Sequence, residues 1–181
     1  MYGFEDQLTQ IVAVLAGFGY RVWSSHFGTI PVDPGRSNLQ NCLEAVARCD
    51  VFLGIIRPHY GSGRIGERSI VHEEMLAAVT QQKPRWFLVH HDVAVARQLL
   101  KPLMFTKGGK RKRFRLPKTA VLDDIRVIDL YNDVIQNERP PEQRVGHWAQ
   151  EYFRLDDILG YLQSQFSDLA QVMRIRKEMV K

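Results

Sequence analysis

Two adjacent carboxylates, Glu73 and Glu74, lie in the stretch of this sequence that is best suited to chemistry, Asp50 to Ala78. The stretch has the pattern of a buried strand, a glycine-rich loop and a helix capped by Ser69. In a parallel α/β sheet such a loop lies at the carboxyl edge of the strand, where open sheets bind ligands. Acidic residues are also favoured in the first turn of any helix by its dipole. The pair therefore indicates a candidate site without establishing one.

The loop contains the pattern G-x-G-x-x-G, formed by Gly61, Gly63 and Gly66. A dinucleotide fingerprint has its first glycine directly at the end of the strand, whereas here four residues, Arg57 to Tyr60, come first. This spacing favours a flexible loop over a pocket instead of a pyrophosphate site. Ser69 and the backbone N–H groups behind it could still receive a phosphate, and Arg57 and Tyr60 could pair or stack with a nucleotide.

The histidines raise the question of a metal site. His72 and Glu73 match part of a zinc motif, but the position of the second histidine is occupied by Leu76, and we predict no metal. His90 and His91 end another predicted strand at the same edge, so one of them could line the pocket, although polar strand ends are common without a ligand. The predicted ligand-binding residues are Ser69, Tyr60, Gly61, Gly63, Arg57, Glu73 and His90.

Alternating helical and strand patterns in the first 100 residues predict the elements that position these side chains. They imply an α/β fold with a doubly wound parallel sheet and helices on both faces. The strand at 51–56 is a continuous apolar run, as expected of a strand covered on both faces. The predicted elements are a helix at 4–18, a strand at 20–24, a helix begun by the capping box of Ser37 and Gln40, strands at 51–56 and 85–89, and helices at 70–81 and 92–100.

The pattern changes after Pro102. An irregular basic insertion follows, and residues 121–135 suit a helix, although the segment RVIDLY within them would also pass for a strand. The remaining chain is strongly helical. We therefore predict three parts, which are an α/β domain at 1–103, a basic loop at 104–120 and a helical C-terminal extension at 121–181.

The net charge of +5 comes from a single loop. Seven lysines and arginines and no acid lie between Lys107 and Lys118, and without them the chain would carry −2. This loop could contact nucleic acid or dock an acidic partner, but it lacks the regular aromatic residues of a single-strand binder.

Other bulk features indicate an ordinary soluble protein of the cytoplasm. Hydrophobic content is 45%, no apolar run is long enough to span a bilayer, and the N-terminus lacks the plan of a secretory signal. Cys42 and Cys49 are separated by two turns of one predicted helix, about 10 Å, which is too far for a disulfide.

Several blocks of the chain, in their order and spacing, resemble a known family. The blocks are GYRVWSS, NCLEAVARCDVFLGIIRPHYGSG, ERSIVHEE, KPRWFLVH and RVGHWAQEY. Together they resemble the Toll/interleukin-1-receptor-like domains of the domain-of-unknown-function family 4062, over roughly residues 1–171. Members of that family usually begin with a strand of the form VFLSS before a segment like YGFEDQ. That segment follows Met1 here, so the first strand of the sheet is expected to be missing from this chain.

The resemblance also implies a function. Catalytic domains of the wider superfamily carry a glutamate in a W-C-x-x-E pattern, and Glu74 matches its spacing, although the Trp and Cys are absent here. The implied role of Glu74 is to engage the ribose of NAD while the glycosidic bond breaks, which makes NAD a candidate substrate and not a cofactor. The expected function is an NAD glycohydrolase or ribosyl-transfer domain of a bacterial defence system. The alternative is a non-catalytic module of the same fold that assembles with itself or with a larger partner.

Overall fold

Seven α-helices and three β-strands make up the described part of the chain, which is residues 2–61 and 68–179 of a computed structural model. A short 3₁₀ helix, Pro141–Gln143, precedes the last strand. The elements are α1 Tyr2–Gly17, α2 Asn38–Arg48, β1 Phe52–Ile56, α3 Ile70–Thr80, β2 Arg85–His90, α4 His91–Met104, α5 Arg126–Val134, β3 Ala149–Tyr152, α6 Leu155–Phe166 and α7 Leu169–Met179.

The three strands form one parallel sheet in the order β1-β2-β3. The register pairs Ile56 of β1 with Val89 of β2, and His90 of β2 with Tyr152 of β3. Because all three strands run in the same direction, their carboxyl ends meet at one edge of the sheet. Any residue that ends or directly follows a strand is therefore brought to that edge.

The side chains of β2 alternate between two hydrophobic clusters, one on each face of the sheet. Phe87 and Val89 pack in the larger cluster with residues of α3, α4 and α5. Leu88 packs in the other cluster with residues of α1 and α6, among them Ile11 and Phe166. Helices therefore cover both faces, and the predicted α/β fold with a parallel sheet is confirmed.

Several predicted helix boundaries are also confirmed. Ser37 begins α2 with a capping box, in which its hydroxyl accepts the Gln40 N–H and the Gln40 side chain accepts the Ser37 N–H. The Ser69 hydroxyl caps α3 by accepting the N–H of His72 at 3.3 Å. The segment 121–135 contains the helix α5, as predicted in preference to a strand, but the helix begins only at Arg126 and ends at Val134.

The predicted strand at 20–24 is wrong. The segment forms no strand, because its backbone bonds locally: the Ser24 N–H donates to the Thr29 hydroxyl, and that hydroxyl donates to the Val22 carbonyl. Tyr20 and Val22 nevertheless pack against the cluster on the α1 and α6 face. Their burial explains why the hydrophobic pattern resembles a strand.

Three further differences concern the sheet and the last helix. The sheet contains β3, a strand that the sequence pattern does not predict. Leu53 and Ile55 of β1 are only partly buried, since β1 is an edge strand and is not covered as fully as its apolar run suggests. The long C-terminal helical pattern is divided into α6 and α7 between Phe166 and Leu169.

Two sequence-based expectations can be compared directly with the described residues. Cys42 and Cys49 are free thiols, as their spacing predicts. Among the helices of the described chain, none is both long and apolar enough to cross a membrane.

Candidate functional site

A cleft of about 390 Å³ opens at the carboxyl edge of the sheet, and we call it the edge cleft. Arg57 directly follows β1, His90 ends β2, and Tyr152 ends β3. The N-terminal part of α1 closes the opposite side. The lining residues are Phe4, Gln7, Arg57, Pro58, His59, His90, Tyr152 and Phe153.

Arg57 supplies a positive charge to the edge cleft. Its guanidinium carbon lies 3.7 Å from the centroid of the Phe4 ring, a close cation–π contact between β1 and α1. Burial lowers the pKa of Arg57 below its usual value, whereas the neighbouring Tyr152 and Asp123 favour the charged form. An arginine remains protonated at neutral pH under such a shift, so the edge cleft keeps a fixed cation.

Aromatic side chains form the other wall of the edge cleft. The His90 ring lies edge-on to Tyr152, with centroids 5.2 Å apart, and 6.2 Å from Phe153. Burial lowers the pKa of His90 below its usual value, although the nearby Asp92 carboxylate acts in the opposite direction. The imidazole is therefore mainly neutral at pH 7. Phe153 remains 62% exposed, which leaves an open aromatic face at the mouth of the cleft.

A second cavity, of about 530 Å³, opens beside the start of α3, and we call it the arginine cavity. Its lining side chains belong to α3, to α5, to the basic loop, to Tyr60 after β1 and to Arg68 before the cap of α3. Guanidiniums and carboxylates dominate the lining. The lining residues are Tyr60, Arg68, His72, Glu73, Arg111, Arg126, Asp129 and Asp133.

A hydrogen-bonded relay, buried at Tyr60 and His72 and partly exposed at Asp133, runs along one wall of the arginine cavity. Asp133 of α5 bonds to Nε2 of His72 at 2.9 Å, and Nδ1 of His72 bonds to the Tyr60 hydroxyl at 2.6 Å. Because Asp133 accepts the proton of Nε2, Nδ1 is the acceptor and the Tyr60 hydroxyl is the donor. The Tyr60 oxygen in turn accepts the Ser69 N–H at 3.4 Å. His72 is 2% and Tyr60 3% exposed, so the relay is fixed within the protein.

The segment from Arg57 to Tyr60 separates the two cavities. Asp123 holds this segment, since its carboxylate accepts the Tyr60 N–H at 2.9 Å and pairs with His59, while its own N–H donates to Pro58. The first half of the predicted glycine-rich loop is therefore anchored. Gly61 has φ +92°, a left-handed conformation that favours glycine.

Glu74 lies away from both cavities, at the contact between α2 and α3. Its carboxylate lies beside the Cys42 thiol of α2, and its interaction with this thiol opposes the effect of burial on the pKa of Glu74. Burial raises the pKa of Glu74, and burial together with the Glu74 charge raises the pKa of Cys42 to about 12. The thiol is therefore protonated at neutral pH and is not a nucleophile.

The structure divides the predicted ligand-binding residues between the two cavities. Arg57 and His90 line the edge cleft, whereas Tyr60 and Glu73 line the arginine cavity. Ser69 is fully buried and serves as the cap of α3. Gly63 lies outside the described residues.

Sequence reasoning missed the remaining lining residues, of which some could have been found. The sequence pattern indicates His72 only as a possible zinc ligand. Its place three residues after the cap Ser69 nevertheless predicts that it lies in the first turn of α3, beside the loop. Tyr152 and Phe153 follow a strand that the pattern did not show. No local signal marks Asp133 or Arg111, which are distant in sequence from the loop. In the described residues there is no group of three or more His, Cys, Asp or Glu side chains that could hold a metal ion.

Comparison with known families gives one match. The sequence matches a domain of unknown function, DUF4062, over residues 1–158. Comparison with curated proteins gives no match, and comparison with solved structures gives none. Because the matched segment covers well over half of the chain and includes all the strands, the chain belongs to the DUF4062 family.

Proposed function

We propose that this domain binds a nucleotide in the edge cleft, with NAD as the candidate ligand. One observation carries the proposal: the ends of three parallel strands bring an arginine and several aromatic rings into one opening. Ligands of open α/β sheets bind outside the carboxyl ends of the strands. The resemblance to Toll/interleukin-1-receptor-like domains, some of which act on NAD, supports the choice of ligand and suggests a role in bacterial defence signalling.

The lining of the edge cleft suits the parts of a nucleotide. The exposed face of Phe153 offers a surface on which a base or nicotinamide ring can stack. Arg57 can donate paired hydrogen bonds to a phosphate, and the Gln7 amide can bond to ribose hydroxyls. A volume of about 390 Å³ is within the usual range for small-molecule pockets.

Binding is tested by titration calorimetry of the full chain with NAD and with AMP. Replacing Arg57 with Gln, or Phe153 with Ser, should weaken NAD binding by about tenfold, because each change removes one of the two main contacts. Arg21→Gln is the matched control for charge and Trp148→Ser the control for an exposed aromatic residue, since neither lines the cleft. The proposal is wrong if neither nucleotide binds at millimolar concentration, or if the controls weaken binding equally.

Cleavage of NAD is a further step that this proposal does not include. The Glu74 carboxylate lies beside the Cys42 thiol, outside the lining of the edge cleft. We therefore expect NAD binding without release of nicotinamide. Release by the wild-type protein that is lost in Glu74→Gln would replace this expectation with the NAD glycohydrolase hypothesis.

A second candidate function, docking of a partner protein, is favoured by one surface, which we call the α4 face. Val95, Leu99 and Leu103 are four residues apart on α4, so they form one stripe, and they are 37%, 71% and 52% exposed. The basic loop adjoins the stripe, since the Lys112 side chain donates to the Pro102 carbonyl of α4. An apolar stripe beside several exposed cations fits an amphipathic helix with acidic flanks.

A further inference from the structure

We propose that the arginine cavity is a second binding site, for a sugar phosphate, and that the Tyr60–His72–Asp133 relay fixes the ring on which one of its arginines lies. The proposal is independent of the edge cleft, because no described residue lines both cavities. It rests on the chemical composition of the lining, on the exposure of the ion pairs and on the burial of Tyr60 and His72.

The charges of the arginine cavity point to a particular class of ligand. Among the described residues, three arginines and three carboxylates line it, so their formal charges cancel when all six are ionised, and Asp124, which pairs with Arg126, adds a further carboxylate beside them. A simple anion would meet as much repulsion as attraction there. A phosphorylated sugar offers a dianionic phosphate to the guanidiniums and several hydroxyl donors to the carboxylates, which accept hydrogen bonds only.

Two of the arginines are held in ion pairs that a ligand can replace. Arg111 pairs with Asp129 through two parallel hydrogen bonds of 2.9 and 3.1 Å, and Arg68 pairs with Glu73 at 3.6 Å. All four side chains are partly exposed, so water screens both pairs. A phosphate is a stronger acceptor for a guanidinium, and the released carboxylates become available to the sugar hydroxyls.

The third arginine is held by an ion pair and lies on the relay. The Arg126 guanidinium pairs with the Asp124 carboxylate and lies over the Tyr60 ring, with its central carbon 4.9 Å from the ring centroid. The Tyr60 hydroxyl is fixed by His72 and by the Ser69 N–H, and His72 is fixed by Asp133. This chain of contacts connects α5, α3 and the end of β1. It holds the platform beneath Arg126 in place before any ligand binds, which lowers the cost of ordering the site.

The composition also distinguishes this site from the edge cleft. Tyr60 and His72 are the aromatic rings of its lining, and both are buried with their polar atoms engaged. A nucleobase would therefore find no open ring on which to stack. The expected ligand has a phosphate and hydroxyls but needs no base.

The test is titration calorimetry of the full chain with ribose 5-phosphate, with ribose and inorganic phosphate as separate arms. We expect ribose 5-phosphate to bind more tightly than either part. Arg68→Gln and Arg111→Gln should each weaken its binding by about tenfold, whereas Arg115→Gln, an exposed arginine of the same basic loop that does not line the cavity, should leave it unchanged.

Tyr60→Phe tests the relay, since it keeps the aromatic platform but removes the hydroxyl that bonds to His72. Binding of ribose 5-phosphate should weaken by a few-fold while the circular dichroism spectrum stays that of the wild type. The proposal is overturned if ribose 5-phosphate does not bind at millimolar concentration, if inorganic phosphate binds equally well, or if Arg115→Gln weakens binding as much as Arg68→Gln.

Discussion

Glu73 and Glu74 are adjacent in sequence but belong to different environments. Successive residues of a helix point about 100° apart, so Glu73 faces the arginine cavity while Glu74 faces α2. Glu73 is paired with Arg68, whereas the neighbour of Glu74 is the uncharged thiol of Cys42. Burial opposes ionisation of the Glu74 carboxylate, because the uncharged thiol does not compensate its charge as a cation would. The ionised carboxylate therefore lowers the free energy of unfolding at neutral pH.

We predict that Glu74→Gln changes the pH dependence of stability. Because the pKa of Glu74 is raised on folding, the folded protein binds more protons than the unfolded chain, and stability falls as pH rises through the folded pKa. Gln cannot ionise, so the variant should gain stability relative to wild type at pH 7 but not at pH 4. Thermal unfolding at both pH values measures the difference.

Glu138→Gln is the control for this prediction, because Glu138 is exposed and the change removes the same charge. An equal gain in both variants at pH 7 would mean that the overall charge, not the burial of Glu74, causes the effect. A loss of stability in Glu74→Gln at pH 7 would contradict the prediction directly.

The residues of the site were predictable only where local sequence determines their position. Arg57 and His90 lie at strand ends, and the direction of parallel strands brings them to one edge. Asp133 is 61 residues from His72, and no periodicity or cap links the two. Such contacts depend on how helices pack over the sheet, which the sequence pattern does not specify.

At the scale of elements, β1 and β2 depend on a close approach at Gly54. A Cβ atom at this position would lie 2.6 and 2.8 Å from two ring carbons of Phe87, which is completely buried. We predict that Gly54→Ala destabilises the protein by about 1 to 3 kcal/mol, because Phe87 must move within a packed core. Urea unfolding followed by circular dichroism measures the change.

Gly160 provides the matched comparison for that prediction. It lies exposed in α6, and beyond its chain neighbours and the backbone of its own helix no described atom lies within 4 Å of the place where its Cβ would be. Gly160→Ala should stabilise the protein by about 0.5 to 1 kcal/mol, since alanine is the better helix former. Equal effects of the two substitutions would show that Phe87 accommodates the added methyl group without cost.

The elements themselves were largely predictable, and the exceptions have physical causes. Caps and apolar periodicity identify α2, α3 and α5, because these signals are local. The segment at 20–24 has the side-chain pattern of a strand, but pairing depends on a neighbouring backbone. β3 has only four residues, AQEY, and lacks an apolar run, so its place beside β2 comes from the tertiary fold.

At the scale of the whole molecule, the positive charge is held in place instead of being carried by a free loop. Phe105 and Phe114 of the basic loop pack against the larger hydrophobic cluster, and Arg111 pairs with Asp129 of α5. The other cations of the loop are exposed. The loop therefore presents its charge beside the α4 face in a fixed arrangement, which reduces the entropy cost of binding a partner.

We predict that the α4 face binds an acidic amphipathic peptide more tightly than it binds single-stranded DNA. A synthetic helical peptide with leucines at every third or fourth position and glutamates elsewhere should bind through both the stripe and the loop. Leu99→Ser and Lys110→Glu should then each weaken binding by at least about fivefold in fluorescence anisotropy, whereas Val32→Ser, an exposed apolar residue elsewhere, should not. Single-stranded DNA can use only the charges. Tighter binding of DNA than of peptide, unaffected by Leu99→Ser, would therefore assign the loop to nucleic acid and contradict the docking hypothesis.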